Sequence, residues 1–487
     1  MFKFLSTILR NKIFLYVGTR YVTYAFQFIA SFYIALKLGP VGFGVWSFIL
    51  LLINFYNIID FGISNSINIL LVQDREVEER SSSHILSSII ITIGLNILVI
   101  LSFIIIKYAH FGFLLKYDIG IYLPAILYTI IVWNFNKVFS SIYRVKNRLL
   151  ELAFFQSIIP LLFFLAVIFS PVNTLWYLLG AYMLGQSLAF AVFILRKQIT
   201  IKGAISCSSM NTVFFKGFWL FLYNGAFYLI MFSTSSFVSA YYSVSDYGKF
   251  SFAYTLAHAI LLFLEAFGYI VFPKIIQKLK GNNFEECKSV ILMIRNSYLM
   301  VVHGLVYLAF PAFYLLCLLM PKYGDIQRML CVAALTILPY ANAFGLNTFL
   351  MAQNKERRIS CISCISLIVN IGLLFLFIRV FNFSYDLILV ATLVSYVLFT
   401  YQCALYTLKV MGEPFKFLKV LEMAFPVRIS VSYLFTLVAT YFFSERGHFI
   451  WLLLPLIVFL LMNRTSLGKT AAMIVQLVKR PEIIDLK

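Results

Sequence analysis

The sequence predicts an all-α polytopic membrane protein with about fourteen transmembrane helices, built as two six-helix lobes in a parallel repeat with two C-terminal helices appended. Three observations predict it. Of 487 residues, 62% are hydrophobic and 12% charged, where soluble domains carry roughly 25% charged residues. Apolar stretches long enough to cross ~30 Å of hydrocarbon follow one another along the chain, and each must be a helix because only a helix pairs its own backbone groups in lipid. Finally, the chain repeats itself. Phe43-Gly44-Val45-Trp46-Ser47-Phe48 returns 204 residues later as Tyr247-Gly248-Lys249-Phe250-Ser251-Phe252, and Lys146-Asn147-Arg148 returns 207 residues later as Gln353-Asn354-Lys355.

In chain order the expected spans are 13–36, 43–72, 85–106, 119–139, 150–169, 174–195, 214–241, 247–272, 296–319, 328–351, 359–380, 385–408, 427–443 and 448–463. The basic segment with Lys3, Arg10 and Lys12 runs into span one without a cleavage pattern, so the first helix is expected to remain as an anchor. LGPVGFGVWSF at Leu38–Phe48 forms the tight turn between the first two spans. Spans 1–6 (residues 1–205) and 7–12 (206–412) make the two lobes, with 413–487 carrying spans 13 and 14 and a tail. Six is even, so the two copies share an orientation. Pro273 is expected to end span eight and Pro339 to interrupt span ten, with Pro160 and Pro311 as further bends.

Fourteen spans place both termini on one side. With the N-terminus inside, the inner segments and adjoining helix ends carry 30 Lys and Arg, the outer ones eight, and Arg20 lies within span one. This split predicts cytoplasmic termini. It also accounts for most of the net charge of +20, which would otherwise point to an anionic substrate or anionic lipid.

Several chemistries are excluded or weakened. No loop is long enough to form a domain, and no glycine-rich P-loop is present, so neither ATP nor any other cofactor is expected, and nucleic acid is not an expected partner. Cys361-x-x-Cys364 has metal-ligand spacing, but it lies in an apolar helix without a second Cys or His pair, so packing is the expectation and no metal site is assigned.

Polar residues at helical spacing mark the first two spans of each half. Span one carries Arg20, Thr23, Gln27 and Ser31, span two Asn57, Asp60, Ser64 and Asn68, span seven Asn224, Tyr228, Ser235 and Ser239, and span eight Tyr254, His258, Glu265 and Tyr269. A charge at membrane depth costs roughly 3 kcal/mol or more unless it faces protein or water. One reading places these stripes around a polar cavity between the halves, with a substrate bound there, as in transporters built from repeats. The other reading is structural: Arg20 snorkels to the interface, Asp60 locks onto Arg20, and Glu265 hydrogen-bonds His258. His303 is expected to be a core histidine.

On LGPVGFGVWSF (38–48), DFGISNS (60–66), YGKFSFAY (247–254), YIVFPKI (269–275), LLMPKY (318–323) and the Gln353-Asn354-Lys355 helix end, the chain resembles the Wzx-type flippases of O-antigen and capsular polysaccharide repeat units. These form the polysaccharide branch of the multidrug/oligosaccharidyl-lipid/polysaccharide (MOP) exporter superfamily, which includes MATE exporters and lipid II flippases. The resemblance covers nearly the whole chain. It implies transport of an undecaprenyl-diphosphate-linked oligosaccharide from the inner to the outer leaflet of the bacterial plasma membrane by alternating access. It implies the lipid bilayer as surroundings and a polysaccharide polymerase with its chain-length machinery as candidate partners. Arg20, Gln27, Asn57, Asp60, Asn224 and Lys249 would then bind substrate, and Asp60, His258 and Glu265 would couple an ion. Lys137, Arg144 and Lys274 could supplement the cations.

Two rivals remain. A cation-driven drug exporter would use Asp60 and Glu265, but such exporters usually have twelve spans. A membrane-embedded sugar polymerase or glycosyltransferase would need large outer loops with paired acidic or arginine groups, whereas these outer loops are short and lack them.

Overall fold

The computed structural model describes residues 12–58, 60–74, 77–109, 112–170, 174–197, 199, 206–279, 284–443 and 449–479. Among them there is no strand. The main helices are α1 (Lys12–Ile58), α2 (Ile63–Gln73), α3 (Glu78–Ala109), α4 (Leu123–Val145), α5 (Leu149–Phe169), α6 (Thr174–Leu195), α7 (Cys207–Tyr241), α8 (Val244–Leu279), α9 (Phe284–Leu319), α10 (Gln327–Asn342), α11 (Leu346–Ala352), α12 (Glu356–Arg379), α13 (Leu389–Val410), α14 (Phe417–Ala424), α15 (Val427–Phe443), α16 (Phe449–Met462) and α17 (Arg464–Lys479). Among the described residues, each of the fourteen expected spans falls mainly on helix, and α14 and α17 are additional. By length and composition nine described helices can cross a membrane, or eleven when each of two bent pairs, α14–α15 at 71° and α16–α17 at 77°, is taken as one span. The protein is an all-α, multi-pass membrane protein.

The breaks between spans differ from expectation. α1 has 47 residues and would run ~70 Å, more than twice the hydrocarbon thickness. It divides at Gly39, where φ is 65° and ψ 179°, so the turn costs one residue rather than a loop. The second expected span is not continuous. Phe61 (φ 46°) and Gly62 (φ 73°) are both left-handed and separate α1 from α2. Span ten breaks at Gly345 (φ 85°), not at Pro339, which lies inside α10. α8 continues past Pro273 to Leu279.

The chain forms two compact units, Met1–Gly225 with Tyr242–Gly248, and Ala226–Tyr241 with Lys249–Lys487. In the first, α1 packs on α5, α5 on α6, and α4 on α6, α2 and α3. Ile63, Ile67 and Leu70 of α2, Phe139, Ile142 and Tyr143 of α4, Leu152 of α5 and Phe193 of α6 form one apolar core. Polar links fix its register: Asn136 donates to Gln186 Oε1 at 2.7 Å, and the Tyr143 hydroxyl donates to Phe193 O at 2.7 Å. Lys37 Nζ caps the C-terminus of α5 by donating to Val167 O at 2.5 Å and Ser170 O at 2.6 Å, where orphan carbonyls and the helix dipole favour a cation.

The two copies of the repeat motif meet inside this first unit. A Cβ on Gly44 would overlap the Val244 carbonyl oxygen, and a Cβ on Gly248 would overlap the Pro40 carbonyl oxygen. Positions 40 and 244, like 44 and 248, are 204 apart, so the contact is reciprocal. The motif aromatics fill the space beside it: Phe48 stacks on Tyr117 at 4.0 Å and Tyr117 meets Tyr247 edge-on at 6.0 Å.

In the second unit, α10 and α12 pack on α13, and α9 packs on α10, α16 and α17. Asn370 of α12 donates to Ile230 O at 3.0 Å and Ser233 Oγ at 2.9 Å on α7, and Ser395 of α13 donates to Asn370 Oδ1 at 3.3 Å. This network ties α7, α12 and α13 together.

Candidate functional site

The break between α1 and α2 builds the most developed polar site in the first unit. The reversal at Phe61 and Gly62 turns the Asp60 carboxylate back onto the following backbone. Gly62 N–H donates to Asp60 Oδ1 at 3.0 Å and Ser64 Oγ donates to Oδ2 at 2.7 Å. Only glycine fits at 62, since φ is positive and a Cβ would overlap the Gly217 carbonyl oxygen of α7. Lys137 of α4 completes the site, with Nζ 2.8 Å from Asp60 Oδ2 and 3.0 Å from Asn57 O.

Asp60 therefore pairs with Lys137 and not, as the stripes suggested, with Arg20. Asn57 lies beside this pair at 8% exposure, and neither polar atom of its amide has a partner among the described residues. Burying an amide unpaired costs about 1–3 kcal/mol, so Asn57 offers a ligand the N–H donors of its Nδ2 and its Oδ1 as an acceptor. Polar residues continue along the adjacent faces: Asn68 donates to Ser141 Oγ at 3.3 Å, and Asn134 donates to Asn96 Oδ1 at 2.7 Å.

The stripe on α1 is not one environment. Arg20 is half-buried, with its guanidinium 5.3 Å from the Tyr24 ring centroid. Thr23 is buried and bonded to Ser157 of α5 at 2.6 Å. Gln27 is exposed. The structure brings Asn57 and Asp60 together at the α1–α2 break, while Arg20 and Gln27 lie on the part of α1 that precedes Gly39.

In the second unit, Lys249 pairs with Asp325. His258 stacks on Tyr254 with ring centroids 3.9 Å apart, and its Nδ1 lies 3.0 Å from Tyr254 O. The side chains of Asn224 and Glu265 lie outside the described residues. His303 sits in the core as expected, with Nδ1 3.0 Å from the Tyr307 hydroxyl and the ring stacked on Phe459 at 6.0 Å.

The polar groups are not confined to the first two helices of each half, as the stripes had implied. Lys137 lies in the interior of α4, and Asn134 and Asn136 beside it are buried. Arg295, assigned from sequence to a loop, lies within α9 at 0% exposure. The signal for Lys137 was present, because Asn134, Asn136, Ser140 and Ser141 surround a lysine in one apolar span.

His84 of α3 lies 2.7 Å from Ser209 Oγ and 3.1 Å from Asp74 Oδ2. The order Ser-His-Asp imitates a catalytic triad, but Ser209 and His84 are both buried at 8% exposure, and the arrangement serves as a lock between α3 and the start of α7. Among the described residues no group of three or more His, Cys, Asp or Glu could hold a metal.

A family profile described as "Polysaccharide biosynthesis protein" matches residues 8–279. A search of curated proteins finds no match. Among solved structures, a lipid II flippase MurJ in an inward closed conformation aligns with TM-score 0.65 at 16% identity, covering 96% of this chain and 99% of that one. An inward-facing multidrug resistance MATE family transporter of the MOP superfamily aligns with TM-score 0.64 at 14% identity, covering 80% and 94%. A MOP superfamily transporter from Pyrococcus furiosus aligns with TM-score 0.54 at 12% identity, covering 83% and 95%. At these identities the structural likeness establishes the fold, that of MOP superfamily transporters. The profile match spans more than half of the chain, and this protein belongs to the polysaccharide biosynthesis protein family.

Proposed function

We propose that this protein is a flippase for undecaprenyl-diphosphate-linked oligosaccharide repeat units, moving them across the bacterial plasma membrane for surface polysaccharide synthesis by alternating access between two six-helix lobes. The observation that carries the reading is the Asp60–Lys137–Asn57 site, a cation and an unpaired amide within spanning helices of a chain from this family. The cargo's head group, a diphosphate with sugars, is too polar to cross ~30 Å of hydrocarbon unaided. Its polyprenyl tail stays in lipid while the head group follows a polar path.

Residue roles follow from chemistry. The Arg20 guanidinium is a planar fork suited to two phosphate oxygens, and Lys137 adds a point charge once phosphate competes with Asp60. Asn57, Gln27 and Asn224 suit sugar hydroxyls. Lys249 would join them on leaving Asp325, and His258 and Glu265 are the proposed coupling groups. Asp60 already accepts from Gly62, Ser64 and Lys137, which favours an anchoring role for it over ion coupling and disfavours the rival drug exporter built on Asp60.

The test is surface polysaccharide in a flippase-null bacterial strain, with protein level followed by immunoblot. The wild-type chain should restore polysaccharide, Arg20→Ala should abolish it, and Arg20→Lys should keep part of it. Full restoration by Arg20→Ala would show that Arg20 only snorkels. Accumulation of lipid-linked repeat units that the wild-type chain does not relieve would overturn the reading.

A further inference from the structure

The second unit holds a cationic pocket that the proposed transport path does not use. Its volume is about 540 Å³, and its lining includes Lys288 and Arg295 of α9, Lys419 of α14, Arg428 of α15 and Asn463, with Glu422 as its one carboxylate. Arg295 is the centre of it. At 0% exposure, its Nε donates to Asn342 O at 2.9 Å, the last residue of α10, and its Nη2 donates to Ala424 O, the last residue of α14. Its Nη1 has no partner among the described residues. A guanidinium buried with a free N–H calls for an acceptor, and an anion satisfies it best.

The lysines are partly spoken for. Glu413, between α13 and α14, accepts from Lys419 at 2.5 Å and from Lys288 at 3.0 Å. These two bonds, Lys419 first, hold its pKa down to about 2. The carboxylate thus fixes both ammonium groups at the pocket wall, while Arg295 and the exposed Arg428 have no described carboxylate within ion-pair distance.

The surroundings indicate where the anion comes from. Beside the pocket, α14 is a short amphipathic helix. Phe417 and Leu418 are 57% and 76% exposed, with Phe415 at 66% just before it, whereas Val420, Met423 and Ala424 are buried. It bends 71° from α15. An exposed apolar face next to a cluster of cations is the pattern of a helix lying in the membrane interface, its apolar side in the acyl boundary and its charges at the head groups.

We propose that the pocket between α9, α14, α15 and Asn463 binds the phosphate of an anionic membrane lipid, with Arg295 and Arg428 as its principal donors. This site is separate from the Asp60–Lys137 site, and its test contains no lipid-linked oligosaccharide, so it stands or falls independently of the flippase reading.

The experiment uses the full chain purified in nanodiscs of phosphatidylcholine doped with phosphatidylglycerol, with retained lipid counted by native mass spectrometry after release. Wild type should retain at least roughly threefold more phosphatidylglycerol than Arg428→Gln, with no such difference for phosphatidylcholine. Arg295→Gln should lose it too. Because Arg295 also ties two helix ends, Arg428→Gln, exposed and outside that network, keeps the test valid if Arg295→Gln fails to fold. Inorganic phosphate and pyrophosphate added to detergent-solubilised protein should leave its thermal midpoint unchanged. A rise in wild type that Arg428→Gln lacks would assign the pocket to free phosphate and overturn the lipid. Equal phosphatidylglycerol retention by wild type and Arg428→Gln would overturn the site.

Discussion

Asp60 shows what the sequence gives at the scale of one residue and what it withholds. Helical spacing marks it as a carboxylate on a polar face, and that face exists: Asn57 and Ser64 are buried beside it. Its partner lies on another helix, 77 positions away at Lys137, and spacing within one element cannot reveal that. Arg295 was hidden for a related reason. α9 begins at Phe284 rather than near 296, so a core arginine was counted as a loop charge. The partner assignment is open to measurement by a double-mutant cycle. Asp60→Asn and Lys137→Met should each lower the thermal midpoint, and the pair should be non-additive by about 1 kcal/mol or more. The Asp60→Asn with Arg20→Met cycle should be additive within about 0.5 kcal/mol. Coupling of Asp60 to Arg20 instead would restore the pairing that the stripes suggested.

Among elements, the helical character of the apolar stretches was legible because a 3.6-residue helix is the only solution for an apolar stretch in lipid. The breaks were harder to read. Proline was the visible cue, yet Pro339 and Pro273 sit inside helices, and the breaks fall at Gly39, Gly62 and Gly345. Proline removes one hydrogen bond and is tolerated in a membrane helix, whereas a positive φ ends the helical path outright. Gly44 and Gly248 serve a different end, allowing backbone to approach backbone. Gly248→Ala would drive a methyl into the Pro40 carbonyl, next to Gly44 N at 2.8 Å, so it should cost roughly 1–3 kcal/mol, the scale of overpacking. Gly94→Ala on α3, where nothing lies within 4 Å, should be neutral or slightly stabilising. Thermal unfolding of both variants in the same detergent decides it. An unaffected Gly248→Ala protein would mean that the crossing has slack.

At the scale of the whole molecule, the repeat was legible as two short motifs, and its reciprocal Pro40–Gly248 and Val244–Gly44 contact shows why those motifs recur. Two copies of one turn, meeting face to face, each need a small residue where the other's carbonyl projects. Orientation in the membrane follows from charge. Thirty Lys and Arg in the segments expected inside against eight in those expected outside is a bias that predicts topology when loops are short. Arg295 moves from that tally into the core and Lys137 into α4, which leaves the asymmetry nearly intact. The last two spans give the sharpest test, because the segment joining α15 and α16 is expected outside, and α17 carries Arg464 and Lys469 just past a 77° bend. A basic helix turned away from its span in this way is predicted to lie at the cytoplasmic interface, where anionic lipid attracts it. Reporter fusions after Phe443 should therefore read outside and fusions after Leu486 inside. The reverse pattern at either site would place the C-terminal helices the other way up and, with them, the cationic pocket around Arg295 on the outer leaflet.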